Sequence, residues 1–519
     1  MLNSNLRVSE KNKLLACEYF IALHVVLDRC LFKLSMQKKF LTNLGLLVLL
    51  TLLVKPFWIL FIDREVQNVV GTENYGFYFA LLNFSFLFNI LLDLGITTYN
   101  NRNIAQNPED ITEQLGAMVS LKFLFAATYT VVTLLAGFVI GYSNLQLQML
   151  VILCLNQFLG GFILYLRSNL SGLHLFRSDA VISILDRLLM ICICCVLLWG
   201  NVFEQPFNIW WFVYAQTVAY GAVLLVALVV VLKSSGLRTV HWSMSRWKSI
   251  LKESLPFALM ILLMTIYMRT DSVMLERLLP DGAMCAGIYA QGYRLLDAAM
   301  MFAMLIAVLL LPIYSRMLSK KEAVEGITRL SYGLIIAPSL ILAISVSLYS
   351  KEVLSLLYLE IDEQSSSVLS WLMLSLIPIS TTYVFGTLLT ANNNLKYLNI
   401  MAFAGIVINI GLNFMLIPSM KAEGAAIASI ITQFVVAIIQ VFLIQYIFKF
   451  RVNYPFLLSV VLLAGLLVSF GQFTKSLSDN WMLNIGVLVV CTTAVAFLLK
   501  LISINSVIGI LKGHEEPTR

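Results

Sequence analysis

Residues 223–232 read VLLVALVVVL, ten apolar side chains in succession. A strand of a transmembrane β-barrel alternates apolar and polar residues, so an unbroken apolar run indicates a helix instead. Similar apolar stretches recur at 44–53 and 335–342. A helix pairs its own backbone groups in lipid, and about 20 mostly apolar residues span the hydrocarbon core. These stretches therefore predict a helical membrane protein.

The composition extends this prediction to the whole chain. Of its 519 residues, 60% are hydrophobic and 12% are charged, against roughly 45–50% and about 25% in soluble domains. The net charge of +7 does not indicate nucleic-acid binding, because Lys and Arg are not clustered with interleaved aromatic residues. We expect an all-α polytopic membrane protein with membrane lipids, and no nucleic acid, as partners.

The apolar stretches between polar residues predict fourteen membrane spans in two six-helix lobes with two peripheral helices. The predicted spans are 43–62, 76–97, 115–140, 145–166, 180–199, 207–232, 254–275, 285–310, 327–349, 367–390, 397–417, 423–447, 454–472 and 481–503. The predicted division is an N-terminal extension (1–42), an N-lobe (43–232), a linker (233–253), a C-lobe (254–447), spans thirteen and fourteen (448–503) and a tail (504–519).

The distribution of Lys and Arg sets the predicted orientation. Of 35 such residues, 25 fall on one side of the predicted spans and 5 on the other. Cytoplasmic segments are enriched in Lys and Arg, so both termini are predicted to be cytoplasmic. The extension is either an interfacial amphipathic helix or an over-extended start before Met36, because charges interrupt its apolar stretch and exclude a cleaved signal peptide.

Two short repeats suggest that the lobes are related. Lys55-Pro56-Phe57 in the first span resembles Leu255-Pro256-Phe257 in the seventh, and Gly76-Phe77-Tyr78 resembles Gly287-Ile288-Tyr289. Duplicated transporters place their binding site between such halves. The sequence therefore predicts two pseudo-symmetric lobes around a central site.

Charged residues within the predicted spans mark the candidate site. Each costs about 2.5–3.5 kcal/mol at the bilayer centre and should face a cavity or a partner. Arg294 and Asp297 share a helix face, whereas Arg269 and Asp271 diverge. The candidate cavity residues are Lys55, Tyr267, Arg269, Gln291, Tyr293 and Arg294, with Asp271 and Asp297 for charge balance or ion coupling.

Two interpretations of these charges remain open: a buried ion-pair network and a polar, partly cationic cavity. In the second, three cations and two carboxylates leave a surplus of about one positive charge, which favours an anionic headgroup. Lys122 is expected to reach the inner surface or the cavity, Arg187 to pair with Asp186, and Asp93 to lie by the cytoplasmic surface with Arg102.

The chain has no motif typical of catalysis. It lacks a G-x-x-x-x-G-K-[ST] loop and an H-E-x-x-H motif, and its Cys and His residues show no metal-ligand spacing. The acidic outer segment 351–366 is predicted to be a solvated turn. We therefore expect no enzyme activity, no metal and no cofactor other than a coupling Na⁺ or H⁺.

Several motifs resemble the Wzx-type polysaccharide and oligosaccharide flippases of the multidrug/oligosaccharidyl-lipid/polysaccharide (MOP) superfamily. The resemblance covers roughly residues 40–450. It rests on Gly71 with Tyr75-Gly76-Phe77-Tyr78, Asp93-Leu94-Gly95-Ile96, Arg102-Asn103-Ile104-Ala105, Pro256-Phe257 with Asp271, Gly287-Ile288-Tyr289 with Tyr293-Arg294, Leu311-Pro312, and Asn409, Asn413, Ile417-Pro418 and Gly424-Ala425-Ala426.

This resemblance implies export of undecaprenyl-diphosphate-linked oligosaccharides across the bacterial inner membrane by alternating access, driven by an ion gradient. It implies that Lys55, Arg269 and Arg294 contact diphosphate or acidic sugars. Contact with a glycan polymerase or glycosyltransferases is also implied. Lipid II flippases are similar but place several arginines in the first two spans, where this chain has only Lys55 deep in a span.

Two alternative functions predict other sequence features. A cation-coupled multidrug antiporter of the same superfamily would show a carboxylate-dominated site, and a membrane glycan polymerase would show a large outer loop. The sequence shows neither feature, so both rank below the flippase.

Overall fold

The computed structural model describes residues 53–97, 100, 104, 111–173, 175–200, 206–235, 244–450 and 452–501. The predictions for 1–42, for the start of the first span at 43–52, for Arg102 and for the tail 504–519 lie outside these residues. Within the described ranges the regular secondary structure is entirely helical, which confirms the predicted fold class.

The helices are numbered here in chain order. The first, α1, covers residues 53–70 and includes a π-helical segment, Trp58–Asp63, before the α-helical Arg64–Val70. The others are α2 (Thr72–Leu87, followed by a 3₁₀ turn at Asn89–Leu92), α3 (Ile111–Val139), α4 (Asn144–Gly172), α5 (Phe176–Trp199), α6 (Ile209–Ser235), α7 (Met244–Leu278), α8 (Gly282–Ser319), α9 (Glu325–Leu348), α10 (Ser350–Leu357), α11 (Glu363–Leu374), α12 (Leu376–Ala391), α13 (Leu395–Phe448), α14 (Tyr454–Thr474) and α15 (Trp481–Leu498).

Each of the fourteen predicted spans contains a helix in its described part, although in the second the α-helix ends at Leu87 and residues 93–95 form a turn, and the tenth is divided between α11 and α12. Ten described helical segments are long and apolar enough to cross a membrane. One of them, α13, combines two predicted spans across a kink at Lys421, where φ is 51°. The first, second and seventh predicted spans are also helical but are not among the ten. The side on which the termini lie stays a prediction.

Several helix boundaries differ from the predicted spans, among them the end of α8 at Ser319 rather than at 310. Helix α1 continues to Val70 rather than ending at 62, and α7 begins at Met244 rather than at 254. The predicted linker 233–253 is therefore largely helical in its described part. A search for apolar runs finds only the length of helix that lies in the lipid core. These helices continue beyond it through helical turns that contain charged residues.

Helix packing separates a central bundle from two outer helices. Helix α2 packs on α7 and α8, α7 packs on α13, and α4 packs on α6. The last two helices, α14 and α15, pack on each other and on α9, in agreement with their predicted peripheral position. The large core cluster includes residues from both predicted lobes, from Trp58 in α1 to Ala426 in α13.

Helices α2 and α8 cross at two glycines that the sequence repeat had paired. A Cβ atom on Gly76 would lie 1.9 Å from the Ala283 carbonyl oxygen, and one on Gly287 would lie 2.1 Å from the Thr72 carbonyl oxygen. No other residue type permits backbones to approach this closely. The repeat thus contributes to the contact between the two predicted lobes.

Candidate functional site

A cavity of about 690 Å³ lies between the two predicted lobes. Its walls are formed by α1, α2, α4, α5 and α6 on one side and by α7 and α8 on the other. It extends from Asp63 and Tyr78 to Asp93 and Arg167. No described residue between Arg64 and Phe77 lines it, so the cavity stops short of the α1–α2 turn.

The cavity wall carries five cationic and four anionic side chains. The cations are Lys55, Arg167, Arg187, Arg269 and Arg294, and the anions are Asp63, Asp93, Asp186 and Asp297. The wall has the surplus of one positive charge that the sequence predicted, but the residues that produce it differ from the predicted set.

Arg294 links the two sides of the cavity through an ion pair with Asp63. Arg294 Nε lies 2.7 Å from Asp63 Oδ2, while its Nη1 lies 3.8 Å from Asp297 Oδ2. The Tyr75 hydroxyl donates to Asp63 Oδ2 at 2.8 Å and accepts from Arg294 Nε at 3.0 Å. The shared face of Arg294 and Asp297 was predicted, whereas Asp63 was not, because it lies one residue beyond the predicted end of the first span.

Arg269 is held in the cavity by a hydrogen bond and two ring contacts rather than by an ion pair with a described residue. Its Nη1 donates to Asn83 Oδ1 at 3.2 Å, and its guanidinium carbon lies 5.0 Å from the centre of the Phe86 ring and 5.9 Å from that of Tyr293. Among the described residues, neither Arg269 nor Lys55 has a carboxylate within ion-pair distance. These two cations are therefore available to a bound anion.

Asp271 points away from Arg269, as their spacing predicts, and lines a second, small pocket. Its carboxylate accepts hydrogen bonds from Tyr289 Oη at 2.8 Å, Asn409 Nδ2 at 3.0 Å and Asn413 Nδ2 at 2.7 Å. All of these partners are neutral, and Asp271 is only 4% exposed. Arg269 and Asp271 thus belong to different sites.

The small pocket has a volume of about 10 Å³ and contains several further oxygen atoms. That volume corresponds to one water-sized probe. Tyr267 and Tyr293 line this pocket rather than the large cavity, together with Ser429 and Gln433. Asn413 Oδ1 is buried beside it without a hydrogen-bond partner.

Gln291 lines neither of the two pockets. It is 1% exposed, and its Nε2 donates to the Glu360 carbonyl oxygen at 2.9 Å. The prediction that Gln291 faces the cavity is therefore wrong. Gln291 is only three residues from Arg294 on α8, but it lies nearer the α2–α8 crossing at Gly287, beyond the end of the cavity, and contacts the connection that contains Glu360.

Lys122 does not extend to a membrane surface. Its side chain is 2% exposed, forms an ion pair with Asp93, and donates to the Leu92 carbonyl oxygen at 3.1 Å. Asp93 was expected beside Arg102, which lies outside the described residues. Arg187 lies 3.6 Å from Asp186, as predicted, but both residues line the cavity.

Comparisons with known proteins agree with this architecture. Residues 40–318 match the family model described as polysaccharide biosynthesis protein. An inward-facing multidrug resistance MATE family transporter of the MOP superfamily aligns at 14% identity and a TM-score of 0.61, over 78% of this chain and 98% of its own.

Two other solved structures align over similar lengths. The lipid II flippase MurJ, in an inward closed conformation, gives 12% identity and a TM-score of 0.65, over 90% of this chain and 98% of its own. An outward-facing MATE family transporter gives 15% and 0.56, over 78% of this chain and 95% of its own. At these identities the likeness shows the fold. None of the curated proteins compared with the chain matches it.

Proposed function

Because the chain belongs to the polysaccharide biosynthesis protein family, we propose that it is a flippase for an undecaprenyl-diphosphate-linked oligosaccharide. It is a multi-pass protein of the inner membrane with the fold of MOP superfamily transporters. The proposed process moves the substrate from the cytoplasmic to the periplasmic leaflet by alternating access. No covalent bond is made or broken, so the proposal requires no catalytic residue.

The observation that carries this proposal is a pair of cations in one cavity that form no ion pair with any described carboxylate. Lys55 comes from α1 and Arg269 from α7, so each predicted lobe contributes one. Lys and Arg form strong charge-assisted hydrogen bonds with phosphate oxygens. A cavity of about 690 Å³ is also in the range of ligand-binding pockets, roughly 300–1,000 Å³. A diphosphate headgroup fits both features.

The cavity geometry supports an inward-facing state. The cavity extends to Asp93 and Arg167, at the end of the bundle that the Lys and Arg distribution assigns to the cytoplasm. The fold aligns with a TM-score of 0.61 to the inward-facing and 0.56 to the outward-facing MATE structure. In this state the Asp63–Arg294 ion pair joins the predicted lobes, and outward opening would require this pair to separate.

Asp271 is the proposed coupling site for H⁺ or Na⁺. Carboxylate, hydroxyl and amide carbonyl oxygens are ligands that hard cations prefer, and Asp271, Ser429 and Gln433 line the small pocket. Asp271→Asn removes the charge, keeps the side-chain size and retains one of the two acceptor oxygens. We expect this variant to bind substrate but to lose the ion dependence of export, measured with an imposed Na⁺ or H⁺ gradient.

The test of the proposed function is deletion of the gene followed by mass spectrometry of polyprenyl-linked intermediates. A flippase predicts accumulation of a cytoplasm-facing lipid-linked oligosaccharide. Re-expression of wild type, or of Arg316→Gln as the matched control on an exposed position, should clear it, whereas Arg269→Gln should not. Absence of the intermediate in the deletion strain would contradict the proposal.

A multidrug antiporter is the second candidate, since two of the aligned structures are multidrug transporters. A cationic drug would require a surplus of carboxylates in the cavity, and the described wall has a surplus of cations. Drug susceptibility of the deletion strain separates the two functions. A membrane glycan polymerase remains the less favoured alternative.

A further inference from the structure

The segment between α10 and α11 contacts the other predicted lobe directly. Residues 357–360, called the strap here, begin at the last residue of α10 and continue into the connection, where Tyr358 is extended at φ −120° and ψ 141°. The predicted solvated turn at 351–366 is therefore wrong for this part. Leu359 is exposed, but the Leu357 carbonyl oxygen before it is bonded to α1 and the Glu360 carboxylate after it is bonded to α2.

The strap supplies the cap that α2 lacks. Helix α2 begins after Gly71, which has a φ of 83° and no side chain to cap the helix. The Thr72 backbone N–H donates instead to Glu360 Oε2 at 2.9 Å. A carboxylate at this position accepts a hydrogen bond from a backbone N–H that has no partner within the helix. The positive end of the helix dipole also stabilises its charge.

Helix α10 is capped in return by residues of α1. The Leu357 carbonyl oxygen, at the C-terminus of α10, accepts from Arg64 Nη1 at 3.1 Å and from Asn68 Nδ2 at 3.0 Å. The Leu359 N–H donates to Asn68 Oδ1 at 3.1 Å. Gln291 donates to the Glu360 carbonyl oxygen and so fixes the strap to α8.

These bonds lie at the end of the bundle where α2 and α8 cross and where the cavity stops. Gln67 Nε2 donates to the Gly287 carbonyl oxygen at 3.1 Å at the same crossing. Separation of α1 and α2 from α8 at this end would break the strap contacts with α1 and α2 together. Two helix ends would then lose their caps in a single movement.

We propose that the strap is a latch that holds this end of the transporter closed, and that Glu360 sets the ratio of closed to open states. The latch acts on the two lobes, whatever substrate they carry, and its role in export rests on the proposed alternating access. Loss of an N-terminal cap costs about 0.5–2 kcal/mol. The open fraction should therefore rise roughly 2- to 30-fold when Glu360 is truncated.

The test measures opening at Thr72, whose side chain is 4% exposed and touches α8 at Gly287. Thr72→Cys places a small thiol at this buried position and keeps the backbone N–H that Glu360 accepts from. The purified chain in lipid nanodiscs, without substrate, is treated with N-ethylmaleimide. Mass spectrometry of the peptide that contains position 72 gives the labelling rate.

Glu360→Ala should raise this rate roughly 2- to 30-fold, and Glu360→Gln, which keeps an oxygen acceptor, should raise it less. Glu363→Ala is the matched control. It removes an identical side chain only three residues from Glu360. Glu363 is exposed and is the first residue of α11. Equal rates in wild type and Glu360→Ala, or an equal rise in Glu363→Ala, would overturn the proposal.

Asn68→Ala is an independent variant because it removes the contacts with Leu357 and Leu359 and leaves Glu360 intact. It should also raise the labelling rate. If Glu360→Ala fails to elute as a folded protein, unchanged labelling in both Glu360→Gln and Asn68→Ala overturns the latch. Because no substrate is present, this failure is distinct from failure of the flippase assignment, which the lipid-linked intermediates test.

Discussion

The Asp63–Arg294 ion pair should contribute far more to stability than a surface pair. Asp63 and Arg294 have side-chain exposures of 2% and 16%, and they are 2.7 Å apart. Removing one partner of a buried pair costs about 3–5 kcal/mol, because the other charge is left without compensation. The pair joins α1 to α8, so this energy also holds the two predicted lobes together in the present state.

The structure predicts different losses of stability for the two single variants. Asp63→Asn keeps an oxygen that can accept from Tyr75 and Arg294, and Asp297 remains 3.8 Å from the guanidinium, so we expect a loss of about 3 kcal/mol. Arg294→Gln leaves Asp63 buried with only Tyr75, and we expect about 4–5 kcal/mol. The double variant should lose less than the sum, with a coupling energy of about 2–3 kcal/mol.

The assay is unfolding of the purified protein by SDS in mixed micelles, followed by tryptophan fluorescence, for all four members of the double-mutant cycle. Asp281 and Lys421 provide the matched control pair. They are 2.6 Å apart but 43% and 47% exposed, and exposed pairs contribute little. A coupling energy for Asp63 and Arg294 no larger than that of the control pair would refute the reasoning.

Three further predictions use the same unfolding measurement. Gly287→Ala should destabilise by about 1–3 kcal/mol through overpacking, whereas Gly221→Ala, which has open space around its Cβ position, should be neutral or stabilising; equal effects would contradict the close crossing. Lys122→Met should cost about 3 kcal/mol, since it leaves Asp93 unpaired, and a neutral result would indicate that Lys122 reaches the membrane surface. The hydrogen bond from Lys421 lowers the pKa of Asp281. The stability that this pair adds is therefore present above the unfolded pKa of about 4 and is lost as pH falls below it. The difference in unfolding free energy between wild type and Lys421→Gln should shrink on acidification, and a difference that grows would contradict this sign.

Helices and their order could be predicted from the sequence because lipid imposes a simple rule on them. An unbroken apolar run in lipid must be a helix, and every predicted span contains a helix in its described part. The divergence of Arg269 and Asp271 was also predictable, because it depends only on positions along one helix. The sequence repeat also related Gly76 to Gly287, but it did not predict that the two residues are in contact.

Contacts between distant segments could not be predicted in this way. Asp63 was missed because α1 continues beyond its apolar part, and Gln291 was misplaced because the cavity ends before it on α8 and the Glu360 segment packs there instead. Glu360 lies in a short acidic connection that resembles any exposed turn, yet its partner is Thr72, on the opposite lobe. These residues depend on tertiary packing, which a single sequence without a structure does not specify.

The central claim is that Lys55 and Arg269 hold a lipid diphosphate in the cavity. Native mass spectrometry of the purified chain with undecaprenyl diphosphate tests this directly. Each lost charge-assisted contact is worth about 1.5–3 kcal/mol, so Lys55→Gln and Arg269→Gln should each weaken binding at least about tenfold, while Arg316→Gln should bind as wild type does. Equal affinity in all four proteins would contradict the claim.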